Sequence, residues 1–281
     1  MEDSISQLDD MIAVLEVSIP ANPAAPKYDK MAIGYEAVLA DYFKKIKNAF
    51  PYDALDSIYN KYVKESGWGG QRNLREQYSF NELGNVVDPI LKLFKARLIK
   101  DIIGRFIEIY LAGSAEMLEW GRTKGGKPIY FEGPAMRQAM DYATEHCAQL
   151  VTNMDEESKQ LIADIVRDAI DNKRGVEGLA HDLRAKFDDM SSARSRMIAR
   201  TETSNALEQA FLDRSKAMGV TGKEWIAYEP CEVCAGNAEL DPIPIDSDEY
   251  EDSEGVNITR PPAHPNCRCA LAPVMLEERN E

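Results

Sequence analysis

Cys231-Glu232-Val233-Cys234 and, after twenty-nine intervening residues, His264-Pro265-Asn266-Cys267-Arg268-Cys269 decide how the C-terminal part of this chain folds. Four of the five cysteines and one of the three histidines fall in these two short runs. Thiolate and imidazole together suit Zn²⁺, which takes four tetrahedral ligands, and a two-residue gap lets both ends of one turn reach a single ion. The expected ligands are Cys231, Cys234, His264 and Cys267, with Cys269 as the substitute for His264. Gly236 can supply the positive φ that a metal-gripping turn uses, and Pro265 stiffens the second turn.

The alternatives are a disulfide pair and ordinary reduced thiols. The N-terminus, MEDSISQLDDMIAVLE, is acidic and has no basic region before its short apolar stretch, so it does not read as a signal peptide. A reducing compartment, and hence a metal, is the expectation. Cys147 stands apart: it follows Met136, Met140 and Ala143 at helical spacing and is expected to be a buried core thiol.

Working outward, 281 residues with 44% hydrophobic composition allow one or two domains with a core. The most apolar stretch, Leu91 to Leu111, is interrupted by Lys92, Lys95, Arg97, Lys100, Asp101, Arg105 and Glu108. It reads as an amphipathic helix, and no membrane span is expected. Net charge is −15, and from Pro230 onward twelve acidic residues face only Arg260, Arg268 and Arg279, a balance of −9. That balance argues against a zinc module gripping phosphate backbones, which rests on Lys and Arg. The acidic run from Asp246 to Glu254 reads as a solvated loop tip.

Toward the N-terminus, Pro20-Ala-Asn-Pro23-Ala-Ala-Pro26 reads as a linker closing a flexible arm, residues 1–30. Helices are expected near 31–48 and 52–65, then a break at Gly67-Trp-Gly-Gly70. Asp88-Pro89 has the form of a helix start, with Asp as N-cap and Pro at the first position. Thr123 to Pro128 reads as a turn and Ile129 to Phe131 as a short strand or lead-in. Gly133-Pro134 is the expected start of the next helix, Asp155 the cap of another, and a short helix is expected over Val176 to Phe187. Ser191-Ser192 is expected to open a helix running to about Met218, with Gly219 as its stop.

That last helix is polar all round. A 100° step puts Ile198, Thr201, Glu202, Asn205 and Ala206 on one face and Arg196, Arg200, Thr203, Leu207 and Arg214 on the other. Such a helix is either solvated or held in an ordered polar network. After it, Lys223 to Tyr228 has strand composition, and Val256 to Thr259 and Ala270 to Val274 are candidate partner strands. A unit this small has little core of its own, and zinc, worth ~10–16 kcal/mol in small peptides, can supply what is lacking.

Catalytic alternatives lack their parts. Pro230-Cys231-x-x-Cys234 invites comparison with zinc deaminases, but neither His146 nor His181 has the Glu two residues on that would serve as general acid. No Gly-x-Ser-x-Gly, phosphate loop or dinucleotide fingerprint occurs. No catalytic residue is expected.

Ile198-Ala-Arg-Thr-Glu-Thr203 on a helix, a Trp-containing strand, Cys231-x-x-Cys234 and His264-Pro-Asn-Cys267-Arg-Cys269, in this order, resemble the phage Mu protein F-like minor head proteins over roughly Pro134 to Pro273. The resemblance implies a structural, non-catalytic protein of phage head morphogenesis. It implies binding at the portal vertex, with portal protein, scaffold or major capsid protein and packaged DNA as expected partners. It implies a place in the virion head after assembly in the host cytoplasm. The family's motif falls on Arg200, Thr201, Glu202 and Thr203, and Glu202 or Arg200 is expected to pair across to the C-terminal unit.

The expected architecture is mainly α: a helical N-terminal domain over 31–130, a helical part of the family domain over 131–220, and a small zinc-stapled β unit over 221–281. The basic cluster of Lys92, Lys95, Arg97, Lys100 and Arg105 is a candidate docking surface, against the plainer reading of a solvent face. A nucleic-acid-binding zinc protein and a zinc-dependent hydrolase or deaminase are the competing classes.

Overall fold

The structure, a computed structural model, describes residues 26–57, 59–60, 72–123, 135–172 and 174–276. It is mainly helical, with a small C-terminal β region. The helices are α1 (Pro26–Ala49), α2 (Arg72–Thr123), α3 (Ala135–Asp171), α4 (Gly175–Asp189), α5 (Ser195–Ala217) and the short α6 (Glu232–Glu239). The strands are β1 (Gly222–Ile226), β2 (Ile243–Pro244), β3 (Tyr250–Glu251), β4 (Asn257–Ile258) and β5 (Ala270–Val274). Antiparallel pairing gives a sheet of order β2-β1-β5, in which Trp225 faces Leu271 across the register, and a separate β3-β4 ribbon. Thus β5 partners β1 as expected, whereas the strand near Val256 pairs with Tyr250–Glu251 instead.

Several boundaries differ from the sequence reading, each for a local reason. Helix α1 is described from Pro26 onward. The expected arm is therefore helical from residue 26, and its earlier part lies outside the described residues. Over the expected helix 52–65, a 3₁₀ turn at Tyr52–Ala54 leads into helical residues at 55–57 and 59–60. The Gly67 to Gly70 break, and the turn and strand beyond Thr123, lie outside the described residues.

Asp88-Pro89 does not start a helix: α2 runs through it with Pro89 inside. Proline removes one backbone bond there, but Val87, Ile90 and Leu91 on either side are buried and hold the helix together. Asp88 spends its carboxylate on Lys159 Nζ at 2.8 Å rather than on a cap. Asp155 likewise caps nothing, since α3 is continuous across it. Ser191 and Ser192 do not open α5. Their hydroxyls bond back to the Asp188 carbonyl at 3.0 and 2.8 Å, and the chain passes from α4 through a π turn, Met190–Arg194, directly into α5.

The described residues gather into two compact units. One takes residues 37–103 and 144–195. Its core is lined by Leu39, Phe43 and Ile46 on one stripe of α1 and by Phe50 just past its end, by Cys147, Val151, Ile162 and Val166 of α3, and by Leu179, Leu183 and Phe187 of α4. Cys147 is fully buried, the core thiol its spacing predicts. Within this core, Asp155 accepts from the Tyr42 hydroxyl at 2.7 Å and faces Lys95 Nζ at 3.6 Å. Burial pushes the Asp155 carboxyl above its usual range despite these partners. Tyr42→Phe leaves this buried acceptor one donor short and is expected to cost about 1–3 kcal/mol in denaturant unfolding; an unchanged midpoint would contradict the assignment.

The other unit takes the described residues up to Glu36, Gly104–Ala143 and those from Arg196 onward. Here α2 and α5 approach closely at Gly113, where an added Cβ would lie 2.9 Å from the Leu207 carbonyl oxygen. Beside this contact Arg214 donates twice to the Ser114 hydroxyl, at 3.0 and 2.9 Å. Within the same unit, Tyr35 and Tyr142 each meet Phe106 edge to face. Helix α5 ends as its sequence predicts. Gly219 takes φ +69°, its N–H reaches Lys216 O, and Val220 N–H reaches Ser215 O, a Schellman closure.

Around the sheet, Trp225, Ile243, Ile245, Tyr250 and Leu271 pack against Met117 of α2 and Phe211 and Leu212 of α5. Lys223 is wholly buried, and its ammonium donates to Ser247 O at 2.6 Å and Thr259 O at 2.7 Å. One side chain thereby ties the start of the acidic run and the residue after β4 to β1.

Candidate metal centre

The first cysteine turn is a helix start. Cys231 sits in extended conformation at the N-cap of α6, Ala235 N–H bonds to Cys231 O at 2.9 Å, and Cys234 falls in the first helical turn. Both sulfurs therefore lie at one end of a rigid element. The second turn closes through Cys267 N–H to His264 O at 3.1 Å, with Asn266 at φ +63°, a left-handed position that Asn tolerates. Strand β5 follows directly and fixes Cys269 next to β1.

These elements bring all five candidate donors together in two groups that share Cys234. Cys231, Cys234 and His264 have their ligand atoms within 4.8 Å of one another, and so do Cys234, Cys267 and Cys269. Cys234 Sγ and Cys267 Sγ are 3.7 Å apart. Two sulfurs at ~2.3 Å from a tetrahedral zinc would stand about 3.8 Å apart, so this spacing fits the ion. His264 Nδ1 lies 2.8 Å from Pro265 O. A carbonyl can only accept, so Nδ1 carries the proton and Nε2 keeps the lone pair, the second-shell arrangement usual for a metal-ligating imidazole.

The protonation pattern of the sulfurs follows from their crowding. Burial and the neighbouring Cys269 push the Cys234 thiol up to about 12, and the hydrogen bond to Cys269 together with burial pushes Cys267 up as well. Cys269 is drawn down to about 5, first by Cys267 and further by the Tyr228 backbone, Trp225 and Cys234. Three sulfurs this close oppose one another's ionisation, and a divalent cation among them supplies the charge that lets several ionise together. The donor set fits zinc.

A polar stripe on α5 fastens this centre in place. Thr201 Oγ1 accepts from Asn266 N–H at 3.0 Å, Asn205 and Gln209 accept from Arg260 at 3.0 and 3.2 Å, and Glu208 accepts from Leu271 N–H at 3.0 Å. Helix α5 is therefore part of an ordered network. The crossing contacts fall on Thr201, Asn205, Glu208 and Gln209, with Glu202 bonded to Asn205 at 3.3 Å behind one of them. Arg200, the other candidate for the lock, is exposed at the rim of a cavity. Thr201 and Asn205 lie on the face as it was read, and Glu208 and Gln209, at i+7 and i+8 from Thr201, continue it by one turn.

Glu208 is buried among these partners, and desolvation pushes its carboxyl up to about 8. The native value lies above the unfolded one, so the stability tied to its neutral form is complete below about 4.5 and is lost as pH rises through 8. Glu208→Gln keeps an acceptor for Leu271 and cannot ionise. Its melting temperature is expected to fall less than that of the parent between pH 6 and 9, whereas parallel curves would contradict the burial argument.

Residues 160–272 match the family model described as phage Mu protein F like protein. The match spans the last third of α3, α4, α5 and the C-terminal unit almost to the end of β5, and it bears out the resemblance carried by the motifs. No curated protein and no solved structure matches the chain.

Proposed function

We propose, taking the phage Mu protein F-like region over residues 160–272 as the premise, that the chain is a minor head protein bound at the portal vertex. The family match itself indicates a phage head morphogenesis protein. The observation that carries the finer reading is the fastening of the cysteine-rich unit onto the motif-bearing helix through Thr201, Asn205, Glu208 and Gln209. Such a joint suits a rigid structural block, and the role is one of binding.

In this reading Zn²⁺ is held by Cys231, Cys234, His264 and Cys267, with Cys269 beside them as the alternative to His264. The ion supplies cross-linking of α6 to the turn before β5; the chain supplies the donors and their orientation. Five donors contend for four positions, which leaves little reason for the open position a catalytic zinc uses.

Protein partners stand ahead of DNA. Of the basic cluster, Lys95 faces Asp155, Arg97 faces Asp101 at 3.8 Å and Arg105 faces Glu108 at 3.0 Å. Charges already answered within the chain contribute little to phosphate binding. The portal protein is the primary partner proposed, with scaffold or major capsid protein next, in the virion head and during assembly in the host cytoplasm. No described helix is long and apolar enough to cross a membrane.

Cross-linking mass spectrometry on assembled heads tests this. The expected result is a chain present in few copies and cross-linked to portal subunits. Absence from heads, or cross-links spread over the major capsid lattice alone, would contradict it.

A further inference from the structure

Cys234 and Asn237 are the buried side chains of α6, about one helical turn apart on the same face. A helix of eight residues does not hold its shape alone in water, and Cys231 makes no side-chain cap at its start. Val233 adds only a partly buried apolar contact. The directional hold on α6, apart from its cysteines, comes from Asn237. Its carboxamide pairs with both backbone groups of one residue of β3: Nδ2 donates to Glu251 O at 2.8 Å, and Oδ1 accepts from Glu251 N–H at 2.9 Å. An N–H only donates and a carbonyl only accepts, so these partners fix which way the amide points. Asn237 thereby fills the outer edge of β3 as a neighbouring strand would.

The ribbon that Asn237 grips is anchored elsewhere. Tyr250 is buried edge to face on Trp225, with ring centroids 4.9 Å apart, and pairs with Ile258 across the ribbon. Beyond Tyr250, Ser253 N–H bonds to Ala263 O at 2.9 Å, and Ala263 is buried directly before His264. The β3-β4 ribbon therefore reaches both donor turns, the first through Asn237 and the second through Ala263. None of these contacts uses a cysteine or a histidine. Metal–ligand distances tolerate only about 0.2 Å of error, so the relative placement of the two turns matters to an ion held between them.

Resting on the zinc reading above, we propose that Asn237 is a positioning residue for the metal centre. It sets the rotation of α6 against the β3-β4 ribbon and so aims Cys231 and Cys234 toward the donors of the second turn. The residue type fits the task. An amide presents a donor and an acceptor side by side, whereas Asp would set a carboxylate against Glu251 O, and Gln carries the same two groups one methylene further out.

The test loads the full chain, purified under reducing conditions, with Co²⁺, whose visible absorption bands report donor geometry, and then displaces it with Zn²⁺. In Asn237→Asp the zinc affinity is expected to fall roughly tenfold to a hundredfold, and the Co²⁺ bands to shift from those of the parent. Asn237→Gln keeps both hydrogen-bonding groups but displaces α6, so its bands are expected to shift as well; it decides the matter if Asn237→Asp does not fold. Val220→Ala removes an apolar contact from the same core without touching α6, and it is expected to keep the parental bands. Parental bands and affinity in the Asn237 variants overturn the proposal. The same band shift in Val220→Ala also overturns it, because the effect would then be one of stability alone. A parent chain that takes up neither ion overturns the zinc reading and this proposal with it.

Discussion

Replacing Cys234 with serine is expected to unfold the C-terminal β unit while the unit built from residues 37–103 and 144–195 stays folded. Cys234 is the sulfur common to both donor groups and is itself fully buried in the core that holds Trp225, Tyr250 and Leu271. Serine keeps the shape but gives up the soft ligand. Structural zinc contributes ~10–16 kcal/mol in small domains, comparable to or larger than the ~5–15 kcal/mol net stability of a whole domain. The strands are short, two of them of five residues and three of two, so few ladder hydrogen bonds hold the unit beside its core and its contacts to α5. Hydrogen exchange is the readout. Amides of Gly222–Ile226 and Ala270–Val274 should lose protection in Cys234→Ser, while those of α4 keep theirs. Retained protection in both strands would sink the idea that this sulfur is a metal ligand.

Gly113→Val is expected to part α2 from α5 and destabilise the unit that contains them. Two effects oppose each other. Valine is the better helix former by a few tenths of a kcal/mol, which favours the variant. Against this, the new Cβ would stand 2.9 Å from Leu207 O, 3.1 Å from Ala210 Cβ and 3.2 Å from Leu207 Cα, and two of these atoms are backbone that cannot rotate away. The helices must separate, which lengthens the paired bonds from Arg214 to Ser114. Overpacking of this kind costs about 1–3 kcal/mol, and loosening the bonds to a charged donor adds about 1.5–3 kcal/mol. The penalty wins. Denaturant unfolding should show a net loss of about 2 kcal/mol or more, and a variant as stable as the parent would contradict this helix contact.

What the sequence reveals and what it hides follow different physics. Strands β1 and β5 are readable because Trp225 and Leu271 lie in short apolar runs bounded by turn residues. The end of α5 is readable because Gly219 stands where a left-handed residue is needed. Local chemistry misleads where tertiary packing overrides it. Asp88-Pro89 carries the signs of a helix start, yet buried neighbours carry α2 through it. Asp155 has the form of a cap but is a core acceptor for Tyr42, a partner 113 positions away that no local pattern contains. Ser191-Ser192 signals a helix start by composition, while the same hydroxyls, turned back to Asp188, produce a π turn.

In the metal centre, the donors are legible from their spacing, but α6 between them is not, because eight residues containing Gly236 are too short for a periodic signal. Glu208 is hidden for a different reason. On a helix with polar residues on every face, only the approach of Leu271 shows which carboxylate is buried.

Elemental analysis of the full chain, purified under reducing conditions, tests the central claim most directly when paired with hydrogen exchange before and after chelation. The account predicts one zinc per chain and a loss of protection over Gly222–Ile226 and Ala270–Val274 once the zinc is removed. A chain that binds no zinc and still protects both strands would contradict it.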